Sequence, residues 1–226
     1  MNTLNKVLGI FCIAALSIST ANADSSNFKG IYAGIGMSMN GVALSGDYKD
    51  TSGSADTNSK GSLGIVEPSV SYELGYNLAL GDTLFISFGA SQTPVDTTVD
   101  ANNVTNSKKV TAKISDLTSY YIEPSIAMTS NSALYFKVAS VEGDFTASGN
   151  DIVAGTTKIG DLDGDTFAFG TKIVTDGGIY IKAEAGMTEF DTIKITGISD
   201  DAGGSTATSN IQTELAYGQL TLGFIF

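Results

Sequence analysis

Seven charged residues recur at strand-like spacing between apolar residues, and they are the first candidates for chemistry. They are Glu67, Glu73, Glu123, Lys137, Lys172, Lys182 and Glu184. Neighbouring carboxylates can act as general acid and base, whereas mixed Glu/Lys sets can neutralise one another or line a path for ions. Because an isolated charge in a narrow interior is costly, we predict that these seven residues form a salt-bridge network.

A second candidate is the acidic cluster Asp161-Leu162-Asp163-Gly164-Asp165. Carboxylate oxygens at alternate positions around a tight turn suit Ca²⁺. The segment lacks the downstream bidentate Glu of an EF-hand loop, so a solvated loop leading into a strand is the favoured interpretation. Ca²⁺ at Asp161, Asp163 and Asp165 is therefore the weaker hypothesis, and we expect no other cofactor.

The composition excludes several classes of function. The 226 residues contain no histidine and no tryptophan, all twelve basic residues are lysine, and the net charge is −12. An acidic chain without arginine is poorly suited to neutralising nucleic-acid phosphates. The single cysteine, Cys12, excludes a disulfide framework.

The first 23 residues have the pattern of a secretory signal peptide. Lys6 precedes an apolar run, 7–18, and Ala21-Asn22-Ala23 forms an A-x-A cleavage site. We therefore predict a cleaved segment, 1–23, and one mature domain, 24–226. The bulky residue before Cys12 argues against a lipoprotein, and no later stretch approaches the 18 apolar residues of a membrane-spanning helix.

The rest of the chain alternates apolar residues with small or polar ones, which predicts β-strands. We count eight: 28–45, 61–79, 83–97, 109–129, 133–147, 163–175, 178–195 and 210–226. Three connections are tight turns, whereas the other four are long: 46–60, 98–108, 148–162 and 196–209. Alternating short and long connections are typical of an outer-membrane barrel whose two termini are periplasmic.

The alternation also predicts which face of each strand meets lipid. Leu220, Leu222, Phe224 and Phe226 share one face of the last strand, opposite Gln219 and its neighbours. A soluble eight-stranded carrier would be inverted, with an apolar cavity, and is the less favoured alternative. Aromatic residues predicted to form interface girdles are Tyr72, Tyr76, Tyr120, Phe224 and Phe226. Pro68 and Pro124 fall on the apolar face, where we expect bulges or bends.

The glycine-alternating first strand, 30–36, and the ending Leu222-Gly223-Phe224-Ile225-Phe226 resemble the small eight-stranded outer-membrane family of the OmpX, opacity-protein and OmpA-barrel type. The resemblance implies an all-β, antiparallel, up-and-down transmembrane barrel in a Gram-negative outer membrane. It also implies contact with membrane lipid and lipopolysaccharide, export by the Sec translocon, and recognition of Leu222, Phe224 and Phe226 by the barrel assembly machinery.

The same resemblance suggests a non-enzymatic role in adhesion or envelope integrity, carried by four long acidic extracellular loops above a Glu/Lys plug. Outer-membrane enzyme families resemble one another in using a catalytic histidine, which this chain lacks. The alternative is a narrow porin-like channel for small solutes or cations. An extracellular partner is expected, but the loop residues do not identify it.

Overall fold

The computed structural model describes residues 24–50, 57–94, 96–103, 108–149, 157–199 and 206–226. The expected signal peptide, 1–23, lies outside the described residues. The ten strands are β1 Gly30–Asp50, β2 Thr57–Ala79, β3 Leu84–Thr93, β4 Thr97–Asn103, β5 Lys108–Ala127, β6 Ser132–Gly149, β7 Thr157–Val174, β8 Ile179–Phe190, β9 Ile193–Ser199 and β10 Thr206–Ile225. In this part of the chain, no helix is long and apolar enough to cross a membrane.

All strand pairs are antiparallel and join neighbours around a ring, which confirms the predicted up-and-down barrel. Strands β3 and β4 both pair with β5, and β8 and β9 both pair with β10, so ten strands fill eight positions. Pairing of β1 with β10 closes the ring. Both termini of the described barrel and the three tight turns lie at one end, here called the turn end; the opposite end is the loop end.

The strands extend much further than the sequence pattern predicted. Strand β1 has 21 residues, whereas a transmembrane strand needs roughly 9–11. The expected long loops at 46–60, 98–108, 148–162 and 196–209 are therefore wrong in part, because their described residues belong mostly to strands. Polar composition misled the prediction, because segments rich in Gly, Ser, Thr, Asn and Asp resemble loops in sequence.

Two of the eight ladders stop halfway along the barrel. Pairing of β2 with β3 ends at Tyr72–Gln92, and pairing of β7 with β8 ends at Gly164–Phe190. Toward the loop end, the described strands form two four-stranded sheets, β2-β1-β10-β9 and β4-β5-β6-β7. We call the closed part near the turns the barrel half, and the two facing sheets the sandwich half.

The faces of β5 exchange at a bulge that the sequence pattern did not reveal. The register between β5 and β6 shifts between Ser115 and Thr118, and Asp116 has φ 55°. Leu117 therefore faces inward on one side of the bulge, and Ile114 does so on the other. The register passes Pro68 and Pro124 without a shift, so the alternative of a bulge is wrong for both prolines. The β5–β6 ladder skips Glu123 and Pro124 in the same register, and the alternative of a local bend stays a prediction.

The outer surface of the barrel half is a band of apolar side chains. Met37 is 70% exposed and Phe169 is 69% exposed, as expected for residues that meet hydrocarbon rather than water. The residues expected to form aromatic girdles are also exposed on this face, from Phe224 at 40% to Phe226 at 75%. They are Tyr72, Tyr76, Tyr120, Phe224 and Phe226.

A short 3-10 turn, Ser25–Phe28, closes the turn end of the barrel. The Phe28 ring is fully buried and stacks on Phe85, with ring centroids 4.9 Å apart. Asn77 donates to the Phe28 carbonyl at 2.6 Å. Asp24 caps the turn, and the hydrogen bond from the Ser26 backbone lowers the pKa of the Asp24 carboxyl.

The sandwich half has an apolar core between its two sheets. Phe145 and Leu162 of one sheet are fully buried against Val42, Leu215 and Phe190. The outer faces of the same strands carry polar and acidic residues, including Glu142, Asp163 and Glu214. The interior is therefore apolar at both ends and contains charges only between them, among the buried residues described.

Candidate functional site

Six of the seven predicted charged residues meet in the middle of the barrel interior. They come from five strands: Glu73 of β2, Glu123 of β5, Lys137 of β6, Lys172 of β7, and Lys182 and Glu184 of β8. All six are 6% exposed or less. Glu67 also points inward, but it lies further toward the loop end and forms no ion pair with any described residue.

Lys182 lies at the centre of this charge network. Its Nζ donates to Glu123 Oε1 at 2.7 Å and to Glu73 Oε2 at 3.0 Å. Lys172 lies directly opposite Lys182 in the β7–β8 register, and its Nζ is 3.5 Å from Glu123 Oε2. Glu123 therefore separates two ammonium groups that would otherwise repel each other across the strand pair.

A second ion pair lies nearer the loop end. Lys137 Nζ donates to Glu184 Oε1 at 3.1 Å. Two tyrosines also donate hydrogen bonds to the Glu184 carboxylate: Tyr217 donates to Oε1 at 2.7 Å, and Tyr135 donates to Oε2 at 2.9 Å. Three donors on one buried carboxylate stabilise the ionised form and hold it in place.

Interior tyrosines are the residues of the network that the sequence analysis missed. Tyr180 donates to Glu73 Oε1 at 2.7 Å, and Tyr121 donates to Glu73 Oε2 at 3.2 Å. Tyr32 donates to the Tyr121 hydroxyl at 3.0 Å. These tyrosines share the inward parity of the charged residues along their strands, and that shared parity was the available signal.

Each interior tyrosine lies over a glycine of a neighbouring strand. A Cβ placed on Gly75 would overlap the Tyr32 ring, and one on Gly170 would lie 2.5 Å from the Tyr135 hydroxyl. Gly186 faces Tyr217 in the same way, at 2.7 Å. The inward glycines thus provide the space in which the tyrosine rings lie flat and reach the carboxylates.

The network is electrically balanced, since three lysines face three glutamates. Aromatic rings cover the ammonium groups as well: Lys137 Nζ is 4.4 Å from the centre of the Tyr121 ring, and Lys172 Nζ is 5.1 Å from that of Tyr32. The carboxylates are thus engaged by lysines and tyrosines. This arrangement suits a rigid, neutral filling of the interior better than acid–base catalysis on a substrate.

The acidic cluster lies on strand β7 and not in a loop, which corrects the expected position. Asp161, Asp163 and Asp165 are exposed on the outer face of β7, at alternate positions. Side chains two residues apart on a strand start roughly 7 Å from each other, too far for three to surround one ion without other ligands. No group of three metal-ligating side chains occurs within the described ranges. Ca²⁺ binding here stays a prediction.

The expected assembly signal lies at the closing seam of the barrel. Leu222 and Phe224 are exposed on the lipid-facing side, and Phe226 donates its backbone N–H to the Ile31 carbonyl at 2.8 Å. The Phe224 and Phe226 rings pack edge to face, with centroids 5.0 Å apart. Recognition of these residues during assembly stays a prediction.

Comparison with known proteins extends the description of the fold. No family model matches the sequence, and no curated protein matches it. Outer membrane protease OmpT from Escherichia coli has a similar structure, with a TM-score of 0.50 and 10% identity over 92% of this chain and 100% of that chain.

Two further solved structures align over most of the chain. Ail, the attachment invasion locus protein of Yersinia pestis, has a TM-score of 0.47 and 12% identity over 88% of this chain and 99% of that one. Neisserial surface protein A has a TM-score of 0.38 and 9% identity, over 84% and 97%. At such identities, the similarity to OmpT shows the fold alone: an outer-membrane type of β-barrel.

Proposed function

We propose that this protein is a non-enzymatic barrel of the outer membrane that presents a rigid, acidic surface for interaction outside the cell. One observation carries the proposal: the interior is apolar at both ends and filled by a neutral charge network between them. Such an interior supports the wall of the barrel, and leaves the outer surface to perform the function.

The orientation follows from the apolar band. Short turns and both termini belong on the periplasmic side, whereas the sandwich half projects from the membrane. Strand β1 continues for about ten residues past Met39, the last large apolar residue on its outer face. At the tilt of a barrel strand, this length extends the sandwich half roughly 25 Å beyond Met39. In this orientation, the interaction surface is a folded β-sandwich instead of the long loops expected from the sequence.

The acidic outer face of the β4-β5-β6-β7 sheet is the part of this surface with a distinct chemical character. A depression of about 470 Å³ is bordered by Asp116, Glu142, Asp144, Asp161 and Asp163. Tyr120, which is 55% exposed, lies at its edge nearest the apolar band. Charge complementarity favours a cationic partner, and association should weaken as salt screens the carboxylates.

A binding experiment tests this surface. We expect the barrel in lipid vesicles to bind a lysine-rich peptide, and the variant Glu142→Gln/Asp163→Asn to bind it more weakly. The matched control Glu189→Gln/Glu214→Gln removes carboxylates outside the depression, on β8 and β10. Equal loss of binding in both variants, or binding that is insensitive to salt, would contradict a specific acidic face.

Planar-bilayer recordings test the non-channel part of the proposal against the porin alternative. A balanced network between two apolar clusters predicts no conductance above background for the folded barrel. Steady single-channel currents would overturn the plug and favour a narrow channel along the Glu/Lys interior. The absence of histidine from the chain supports the non-enzymatic part, because the triads and dyads of most hydrolases use histidine as base.

A further inference from the structure

One interior cavity lies between the charge network and the apolar core of the sandwich half. Its volume is about 70 Å³. Lys137 and Tyr217 border it toward the network, and Leu215 and Phe190 border it toward the loop end. Most of the remaining lining consists of serine and threonine, so the cavity is polar on its sides and apolar at its top.

Four hydroxyls that line this cavity have no hydrogen-bond partner within the described part of the chain. The side chains of Ser71, Ser91, Thr93 and Ser119 form no hydrogen bond to a described residue, yet their hydroxyls keep surface that water can reach. In the described ranges, the occluded side-chain polar atom without a partner is Thr213 Oγ1, which does not line the cavity. Dry, unpaired hydroxyls are costly, so water is the natural partner for these four groups.

The cavity has room for several water molecules, because one needs roughly 10–15 Å³ of such space. A direct route to either end of the barrel is closed by apolar residues, with Phe28 fully buried at the turn end and Phe145 fully buried at the loop end. Exchange with bulk solvent therefore requires an opening in the wall.

The wall is interrupted next to the cavity. The last paired residues of β2 and β3 are Tyr72 and Gln92, and the next residue toward the loop end on each strand, Ser71 and Thr93, lines the cavity. On the opposite side, the Thr166 and Thr188 hydroxyls join β7 to β8 at 2.6 Å, and Asp191 N–H donates to the Asp163 carbonyl at 2.7 Å. The weaker wall is therefore the one between β2 and β3.

We propose that this cavity is a hydrated chamber for water and small neutral polar solutes, which enter sideways between β2 and β3, from the point where their pairing ends toward the loop end. Neutral occupants are favoured because the one lysine in the lining, Lys137, is already paired with Glu184. The chamber ends at the charge network, so it gives access from one side of the membrane without a path across it. The chamber is separate from the proposed surface function, and either proposal can be wrong without affecting the other.

Cysteine labelling tests the chamber, because Cys12 is the single cysteine of the chain and Cys12→Ser gives a cysteine-free background. In vesicles, Ser71→Cys and Ser119→Cys should react with a small neutral methanethiosulfonate about tenfold or more faster than Ser87→Cys. Ser87 is fully buried on the other side of the network and donates to Asn77. A bulky polyethylene-glycol maleimide should label none of the three.

Equal protection of all three cysteines, in variants that retain the folded barrel's resistance to protease, would overturn the chamber. The route is tested by Thr93→Trp, which places a large ring in the interrupted wall and should slow labelling of Ser119→Cys. The comparison variant Phe190→Ala removes an apolar ring between the cavity and the loop end. It should leave the labelling rate of Ser119→Cys unchanged. Faster labelling with Phe190→Ala and an unchanged rate with Thr93→Trp would overturn the sideways route.

Discussion

The two halves of this barrel share six strands, β1, β2, β5, β6, β7 and β10, but differ in what fills the middle of their interiors. In the barrel half, the inside contains Glu73, Glu123 and Lys182, whereas the outside is apolar. In the sandwich half, Phe145 and Leu162 fill the inside, and the outside is polar or acidic. Strand β10 shows the change on its outer face, which runs from Phe224 and Leu222 to polar Glu214.

The difference shows that the medium outside the barrel wall, lipid or water, determines which face of a strand is apolar. The inward parity of the strand alone does not determine it. Along β1, inward residues stay at even positions, but they change from Ser38 and Asn40 to Val42 and Leu44. A wall in lipid already keeps its outer apolar side chains out of water, so the middle of its interior can hold a paired charge network. A wall in water must bury its apolar side chains inside.

The largest expected effect comes from removing the central cation of the barrel half. Lys182→Met leaves Glu73 and Glu123 without their shortest ionic partner, and we expect the free energy of unfolding to fall by about 5 kcal/mol. Adding Lys137→Met should lower it further, because Glu184 then loses its lysine. Urea unfolding in detergent micelles or vesicles measures both.

The control for that variant removes the orphaned charge too. Lys182→Met combined with Glu73→Gln should recover part of the lost stability, because Glu73 then carries no unpaired charge and Glu123 keeps Lys172 as its partner. The exposed Lys194→Met should have little effect. An unchanged stability of Lys182→Met alone would show that the network does not support the barrel.

A truncation in each half gives the next largest contrast. Phe145→Ala opens a cavity in the sandwich core and should lower the free energy of unfolding by about 4 kcal/mol. Phe169→Ala removes a ring of the same size from the lipid-facing band and should cost less than about 1 kcal/mol, because lipid fills the space. Equal losses would contradict the division into two halves. Unfolding monitored by urea and protease resistance provides the measurement.

Two exposed positions on the outer face of β10 test the boundary between lipid and water. Leu222→Lys places a charge in the apolar band and should destabilise the folded barrel by about 2–3 kcal/mol. Glu214→Lys, eight residues earlier on the same face, should cost less than about 0.5 kcal/mol, because both side chains are hydrated there. Insertion into vesicles followed by urea titration reports both. Similar costs would place Glu214 inside the membrane.

The smallest expected effect comes from the glycines under the interior tyrosines. Gly170→Ala would press a methyl group against Tyr135 and the Ala183 carbonyl, and should cost about 1–2 kcal/mol. Gly218→Ala meets nothing within 4 Å and should leave stability unchanged. Comparison of the urea midpoints of unfolding of Gly170→Ala and Gly218→Ala tests this prediction. A harmless Gly170→Ala would show that the tyrosine can move without loss.

The sequence pattern predicted much of the barrel half and little of the sandwich half. Alternation identified the inward charges and the lipid-facing residues, because a membrane imposes opposite chemistry on the two faces of every strand. Segments such as 46–60 looked like loops because glycine and polar residues predominate there, although the described residues 46–50 and 57–60 belong to strands. The bulge at Asp116 was also missed, because a single inserted residue leaves no clear trace in composition.

The sequence by itself determined the eight strand positions of the barrel, the inward parity in the barrel half and the set of charges that had to be neutralised inside. Tertiary structure alone decided which charges meet, because Glu73 and Lys182 are brought together only when the barrel closes through β1 and β10. It also decided that Glu67 stays outside the network and that the two ladders end halfway. These outcomes depend on register and on the tyrosines that fit over glycines across strands, and neither is encoded in the alternation of one strand.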